Sequence, residues 1–190
     1  MQVARASGTR RAVFTDRDGT LNPDFHYLSD PDRYEFLPGV VEGIRLLREH
    51  GFLVVCVTNQ SGVGRGFFTL DRLEEIHLRI QDRLRAQGTE IDAFYYCPHR
   101  PEEGCRCRKP STELFERAAS EWEIDLGGSA IIGDRYLDMQ VGERLGLMSV
   151  FVPERGMERA FEAELVEHGV APDLRAASFL GAALQILGYG

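Results

Sequence analysis

The chain of 190 residues has no apolar run long enough to cross a bilayer. Its N-terminal residues, MQVARASGTRR, carry basic side chains but lack the apolar stretch that a secretory signal requires. An excess of positive charge is also missing, since 30 acidic residues outnumber 22 basic ones and give a net charge of −8. We therefore expect a cytoplasmic protein that binds neither a membrane nor nucleic acid.

Cysteine is scarce, and three of the four cysteines stand with a histidine in one short segment, CPHRPEEGCRC, which we call the zinc loop (residues 97–107). The expected ligands are Cys97, His99, Cys105 and Cys107. Three thiolates and one imidazole form a closed tetrahedral set, which suits structural zinc. A chance group of surface thiols is the plain alternative. A nucleic-acid-binding zinc finger is another, but the acidic chain and the missing H-x₃₋₅-H pair count against it.

Apolar runs typical of buried strands alternate along the chain with amphipathic segments typical of helices. Strands are predicted at 10–15, 51–58, 92–97, 129–133 and 148–152, with a brief one at 173–175. Helices are predicted at 38–51, 69–88 (capped by Thr69), 111–122 (capped by Ser111), 136–146 and 177–187, with one more before the last strand. The pattern predicts an α/β fold with a doubly wound, mainly parallel sheet, in a single domain over 1–190. No large insertion follows the first or third strand, so we expect no large cap domain.

Polar residues stand where three of the predicted strands end. Asp16 and Asp18 follow the first strand, Thr58 ends the second, and Asp134 follows the fourth. Each alone has an ordinary explanation as a cap or turn residue. Together they would meet at one edge of the sheet, because ligands of such sheets bind beyond the carboxyl ends of the strands. Three carboxylates there repel one another unless a cation lies between them, and a hard cation with oxygen ligands, Mg²⁺, fits best.

A Mg²⁺ site beside a strand-end aspartate indicates phosphoryl transfer. The Asp16 carboxylate can attack phosphorus. Asp18 can protonate the leaving oxygen and later take a proton from water. Thr58 and Lys109 can bind the phosphoryl oxygens. The sequence therefore predicts a Mg²⁺-dependent phosphatase that forms an aspartyl phosphate.

Four motifs in chain order resemble those of the haloacid dehalogenase superfamily of phosphatases. They are DRDGT (16–20), Thr58, Lys109 and GDRYLD (133–138). The resemblance implies that Asp16 is the nucleophile, that Asp18 is the acid/base, and that Thr58 and Lys109 stabilise the transferring group. It also implies that Mg²⁺ is held by Asp16, by the backbone carbonyl of Asp18 and by Asp134.

The segment TNQSGVGRG (58–66) and the zinc loop are similar to the branch of that superfamily that acts on D-glycero-D-manno-heptose 1,7-bisphosphate. That resemblance implies a small sugar phosphate as substrate and removal of its C7 phosphate. The expected substrate contacts are Asp24, Tyr27, Asn59, Gln60, Arg108 and Arg135. One departure is His26, which stands where that branch usually has glycine.

Three other functions remain as alternatives. The related histidinol-phosphate phosphatases share the zinc loop. Polynucleotide 3′-phosphatases have a similar DxDGT motif, although a charge of −8 suits a DNA end poorly. A non-enzymatic phospho-receiver domain also has an acidic pocket with Thr and Lys, but its phosphorylated aspartate lies on a later strand. We expect a monomer whose partner is a small molecule.

Overall fold

A computed structural model describes residues 9–189, and its centre is one six-stranded sheet in which every pairing is parallel. The strands are β1 (Ala12–Thr15), β2 (Leu53–Asn59), β3 (Ala93–Cys97), β4 (Ala130–Gly133), β5 (Met148–Phe151) and β6 (Leu174–Arg175). The helices are α1 (Val40–Glu49), α2 (Ser61–Gly64), α3 (Leu70–Arg85), α4 (Glu113–Trp122), α5 (Tyr136–Leu145), α6 (Glu158–Glu167) and α7 (Phe179–Ile186). Residues 1–8, part of the N-terminal segment considered above for a secretory signal, lie outside the described range.

Helices cover both faces of the sheet, because the strands bury apolar side chains on both sides. On β1, Val13 packs into the core that includes α1, α3 and α7. Ala12 and Phe14 pack into the opposite core, which includes α4 and α5. Burial on both faces accounts for the continuous apolar runs in the sequence, which is the usual pattern in parallel sheets. The predicted doubly wound α/β fold is confirmed.

The strand order β3-β2-β1-β4-β5-β6 places the winding reversal beside β1. The carboxyl ends of β1, β2 and β4 therefore flank one crevice, where open α/β sheets bind ligands. Two long loops start at this edge, residues 16–39 after β1 and 98–112 after β3. They contain only the short 3₁₀ turns Pro31–Arg33 and Pro101–Glu103, so neither holds a cap domain. None of the described helices has the length and apolarity that crossing a membrane requires.

Most predicted helices and strands agree with the structure, and two local details do not. Thr69 caps α3 as predicted, since its side chain accepts a hydrogen bond from the Arg72 amide at 3.2 Å. Ser111 was the wrong cap for α4, because its hydroxyl donates instead to the carbonyl of Arg106 and the helix begins at Glu113. The single turn α2 was missed because its sequence, SGVG, is rich in glycine.

Candidate active site

Asp16 and Lys109 form an ion pair at the carboxyl end of β1. The Lys109 ammonium lies 2.9 Å from the Asp16 carboxylate and 2.7 Å from that of Asp138. Lys109 is only 3% exposed. Burial alone would lower the pKa of Lys109, but the charges of Asp138 and Asp16 raise it. Lys109 is therefore a fixed cation beside the carboxylate that sequence analysis assigned as nucleophile.

Three carboxylates, those of Asp16, Asp134 and Asp138, place oxygen atoms within 4.8 Å of one another. Burial, followed by the charges of Asp16 and Asp138, raises the pKa of Asp134 well above its usual value. Burial also raises the pKa of Asp138, to about 6, although Lys109 opposes that shift. One lysine thus does not balance the three carboxylates, and the donor set fits a hard divalent cation such as Mg²⁺.

Asp138 was missed by sequence analysis as a site residue. The available signal was its position four residues after Asp134, because that spacing brings it back to the same edge after the first turn of α5. The carboxylate of Asp18 is not part of the acidic cluster that would bind Mg²⁺. This is compatible with the predicted contact through the Asp18 backbone carbonyl.

Two glycines make room for the acidic cluster. A methyl group at Gly19 would overlap the carboxylate of Asp134, and its φ of +81° lies in the region that favours glycine. A methyl group at Gly133 would overlap the carboxyl group of Asp138. The close approach of β1, β4 and α5 at this edge therefore depends on both glycines.

Asp18 is surrounded by hydrogen-bond donors. Arg17 contacts both carboxylate oxygens at 2.8–3.2 Å, Asn22 donates at 3.0 Å and Gln60 donates at 2.7 Å. Burial would raise the pKa of Asp18, but the charge of Arg17 and these hydrogen bonds lower it overall. The free protein therefore holds Asp18 as a carboxylate.

Three consecutive polar residues, Thr58 and Asn59 at the end of β2 and Gln60 directly after it, form hydrogen bonds within the site. Thr58 is 1% exposed, and its hydroxyl accepts a hydrogen bond from the Gln60 amide at 2.9 Å. Asn59 accepts from the Lys109 backbone amide at 3.0 Å and donates to the Lys109 carbonyl at 3.4 Å. Asn59 thereby fixes the main chain of the residue whose ammonium pairs with Asp16.

A cavity of about 450 Å³ opens above these groups. Every predicted substrate contact lines it, and so do the predicted catalytic groups other than Thr58. Arg108 donates to the carbonyl of His99 at 3.4 Å, which connects the cavity wall to the zinc loop. Arg135 is held by Glu164 through contacts of 2.8–3.0 Å and lies over the ring of Phe161.

His26 also lines the cavity, and its backbone explains why glycine would suit the position. Its φ of +64° is in the left-handed region, which histidine adopts at a cost of roughly 1 kcal/mol. The turn is held by the Asp24 carboxylate, which accepts from the His26 amide at 2.7 Å. The loop geometry expected for glycine is thus kept, with an imidazole added at the cavity wall.

The zinc loop brings its four expected ligand atoms within 4.8 Å of one another. Neighbouring ligand atoms lie 3.2–3.7 Å apart. Zinc–sulfur bonds of about 2.3 Å require a separation of about 3.7 Å between the sulfurs of a tetrahedral site. All four cysteines lie in the described part of the chain and none forms a disulfide. The loop geometry therefore fits a zinc ion.

Comparison with protein families gives two matches. A family described as HAD-hydrolase-like matches residues 106–180. A family described as polynucleotide kinase 3 phosphatase matches residues 13–140. The two matches together span the strands that carry the acidic cluster.

Curated relatives and solved structures are similar over most of the chain. A Thermoplasma acidophilum protein named "probable D-glycero-D-manno-heptose-1,7-bisphosphate 7-phosphatase" is 40% identical, over 75% of this chain and 90% of its own. A Yersinia pestis D-glycero-beta-D-manno-heptose-1,7-bisphosphate 7-phosphatase is 40% identical, over 68% and 72%. The crystal structure of the D,D-heptose 1,7-bisphosphate phosphatase from B. bronchiseptica, complexed with magnesium and phosphate, superposes with a TM-score of 0.83 at 30% identity, over 95% and 99%.

Proposed function

The chain belongs to the haloacid dehalogenase-like phosphatases, and on that premise we propose that it removes the C7 phosphate of D-glycero-D-manno-heptose 1,7-bisphosphate. One structural observation carries the phosphatase chemistry: the carboxylate of Asp16 lies 2.9 Å from the Lys109 ammonium, inside an acidic cluster that requires a further cation. The choice of sugar is supported by the names of relatives that are 35–40% identical.

The first step transfers the phosphoryl group to Asp16. A carboxylate oxygen of Asp16 bonds to phosphorus as the bond to the leaving sugar oxygen breaks. Asp18 gives its proton to that oxygen. It has to carry a proton at this point, and the added negative charge of a bound phosphate favours protonation. Lys109 and the hydroxyl of Thr58 donate to the phosphoryl oxygens.

The second step releases phosphate and restores the enzyme. Asp18, now ionised, takes a proton from water, and the water oxygen bonds to phosphorus while the bond to Asp16 breaks. The contacts from Arg17, Asn22 and Gln60 favour the ionised form that this step needs. Mg²⁺, which Asp16, Asp134, Asp138 and the Asp18 carbonyl would hold, supplies charge stabilisation on the phosphoryl group. Structural zinc would be held by the four ligands of the zinc loop.

The arginines at the cavity wall are the proposed contacts for the rest of the substrate. Arg108 and Arg135 stand next to the catalytic positions Lys109 and Asp134 in the chain, and Asp24 and Tyr27 line the same cavity. Guanidinium groups match phosphate and hydroxyl oxygens through paired donors. Histidinol phosphate has one phosphate and a cationic amine, so it offers these guanidinium groups no second phosphate to bind. Arg65, in the segment 58–66, pairs with Glu102 at 3.8 Å and does not line the cavity.

Kinetics on a substrate panel test the proposal. We expect a higher kcat/KM for heptose 1,7-bisphosphate than for histidinol phosphate, and little release from a 3′-phosphorylated oligonucleotide. Arg108→Ala should reduce kcat/KM for the heptose about 10-fold or more, the range of one lost charged hydrogen bond, and reduce that for histidinol phosphate less. Equal or reversed efficiencies would contradict the heptose assignment and leave the phosphatase chemistry intact.

Magnesium should stabilise the protein more strongly at pH 7.5 than at pH 5. The folded-state pKa of Asp138, about 6, is above its ordinary value of 3.8, so the folded chain holds this proton more tightly than the unfolded chain. The free energy of unfolding contributed by Asp138 therefore falls as pH rises from about 4 to 6. Mg²⁺ relieves the repulsion among ionised carboxylates, and at 100 times its Kd any ligand adds about 2.7 kcal/mol. Equal Tm increases at the two pH values would contradict this prediction.

We also propose that the chain acts as a cytoplasmic monomer, with one phosphatase domain over residues 1–190. A small sugar phosphate fits a cavity of this size.

A further inference from the structure

The side chain of Gln60 lines the cavity, yet its amide is already engaged within the protein. Its nitrogen donates to the Asp18 carboxylate at 2.7 Å and to the Thr58 hydroxyl at 2.9 Å. Its oxygen accepts from the Arg17 guanidinium at 3.0 Å. Gln60 is 4% exposed, so both ends of the amide are committed in a buried position. An amide bound in this way has little capacity left for a substrate.

Arg17 is a second side chain that contacts the Asp18 carboxylate. It is the largest fully buried side chain of the described residues, with 0% exposure. Its guanidinium contacts both oxygens of Asp18 and the oxygen of Gln60. A buried arginine is costly unless its charge is paired, and Asp18 is the acidic group that pairs with it. The two side chains therefore hold the Asp18 carboxylate in one orientation.

We propose that Gln60, together with Arg17, is a positioning residue that fixes the Asp18 carboxylate and connects it to Thr58. The inference rests on the proposed function, since Asp18 and Thr58 act there on the transferring phosphoryl group. The Gln60 amide sets the distance between Asp18, which transfers the proton, and Thr58, which binds a phosphoryl oxygen. Gln60 thus acts on the chemical step through its neighbours, and the contact with substrate predicted from the sequence is replaced by this role.

Gln60→Met tests the proposal because methionine has a similar length and no hydrogen-bonding amide. A displacement of about 1 Å in a reacting group can cost about 100-fold in rate. We therefore expect kcat for the heptose bisphosphate to fall about 10- to 100-fold, with KM unchanged or lower. A substrate-binding role would instead raise KM with kcat largely kept. A raised KM with an unchanged kcat would overturn the inference.

A matched control is Gln81→Met. The Gln81 amide bridges the backbone of Ile91, donating at 2.7 Å and accepting at 3.0 Å, and it does not line the cavity. This variant should lose stability while keeping kcat and KM. Arg17→Lys is a second test, which leaves the Gln60 side chain in place, because lysine cannot contact both oxygens of Asp18 as a guanidinium does. It should also lower kcat without raising KM. If the wild-type chain released no phosphate from any substrate, the proposed function would fail, and the inference with it.

Discussion

Replacing Asp16 by asparagine is expected to abolish turnover while leaving the fold intact. An amide oxygen cannot replace the carboxylate as nucleophile, so no acyl phosphate forms. The same change removes one of the two anionic partners of Lys109, 2.9 Å away, and one carboxylate of the acidic cluster, while the Asp138 partner stays. Because the cluster has an excess of negative charge, losing one carboxylate should not lower the Tm in the absence of metal. Asp18→Asn should lose about 10²- to 10⁴-fold in kcat, the usual contribution of proton transfer.

Asp173→Asn is the matched control for both substitutions. The Asp173 carboxylate accepts from the amide and the hydroxyl of Ser149, each at 2.7 Å, and it does not line the active-site cavity. This variant should lose stability and keep its turnover. Phosphate release can be measured with a colorimetric assay. Release by Asp16→Asn at the wild-type rate would contradict the covalent mechanism. Trapping of a phosphorylated wild-type chain at Asp16 would support it.

The strand ends could be predicted from the sequence because their signals are local. An apolar run that stops at an aspartate marks both the strand and its functional end, as at Asp16 and Asp134. The rule that ligands bind at the carboxyl edge then brings together residues far apart in the chain. Three-dimensional proximity at this edge thus follows from topology, without knowledge of any side-chain contact.

Contacts between distant side chains could not be predicted in this way. Gln60 reads from the sequence as a residue facing substrate, and only its contacts with Arg17 and Asp18 show that the amide is occupied. The orientation of Arg135 could not be predicted either. Arg135 directly precedes α5, whereas its partner Glu164 lies in α6. Such pairings depend on how helices pack on the sheet, which periodicity alone does not specify.

His26 illustrates a limit of a different kind. A positive φ depends on the turn that surrounds a residue, and a loop histidine does not specify it, even though histidine is enriched among the non-glycine residues that adopt it. Sequence comparison can suggest that glycine would suit the position, but the structure gives the reason. The imidazole at the cavity wall follows from that backbone.

Purified protein should contain about one Zn²⁺ per chain, and Cys105→Ser should lose it. The zinc loop leads directly into Arg108 and Lys109, so its shape decides where the Lys109 ammonium lies. The loop also supports the start and end of α2, since the Cys97 carbonyl accepts from the backbone amide of Gln60 at 2.7 Å and the Pro98 carbonyl accepts from the backbone amide of Gly64 at 2.9 Å. Losing the metal should therefore lower kcat. A displacement of the Lys109 ammonium by about 1 Å would cost up to about 100-fold.

Elemental analysis and thermal unfolding of the same preparations distinguish the effect of losing zinc from the effect of losing a cysteine side chain. Cys56→Ala is the control, because Cys56 is buried in the sheet core and lies outside the zinc loop. It should keep its zinc while losing some stability through the smaller side chain. Cys105→Ser should instead lose zinc, lower the Tm and slow turnover together, because one metal holds the loop and the loop holds Lys109. Protein prepared without chelators that contained no zinc would contradict the metal site, and full activity in zinc-free Cys105→Ser would contradict its connection to Lys109.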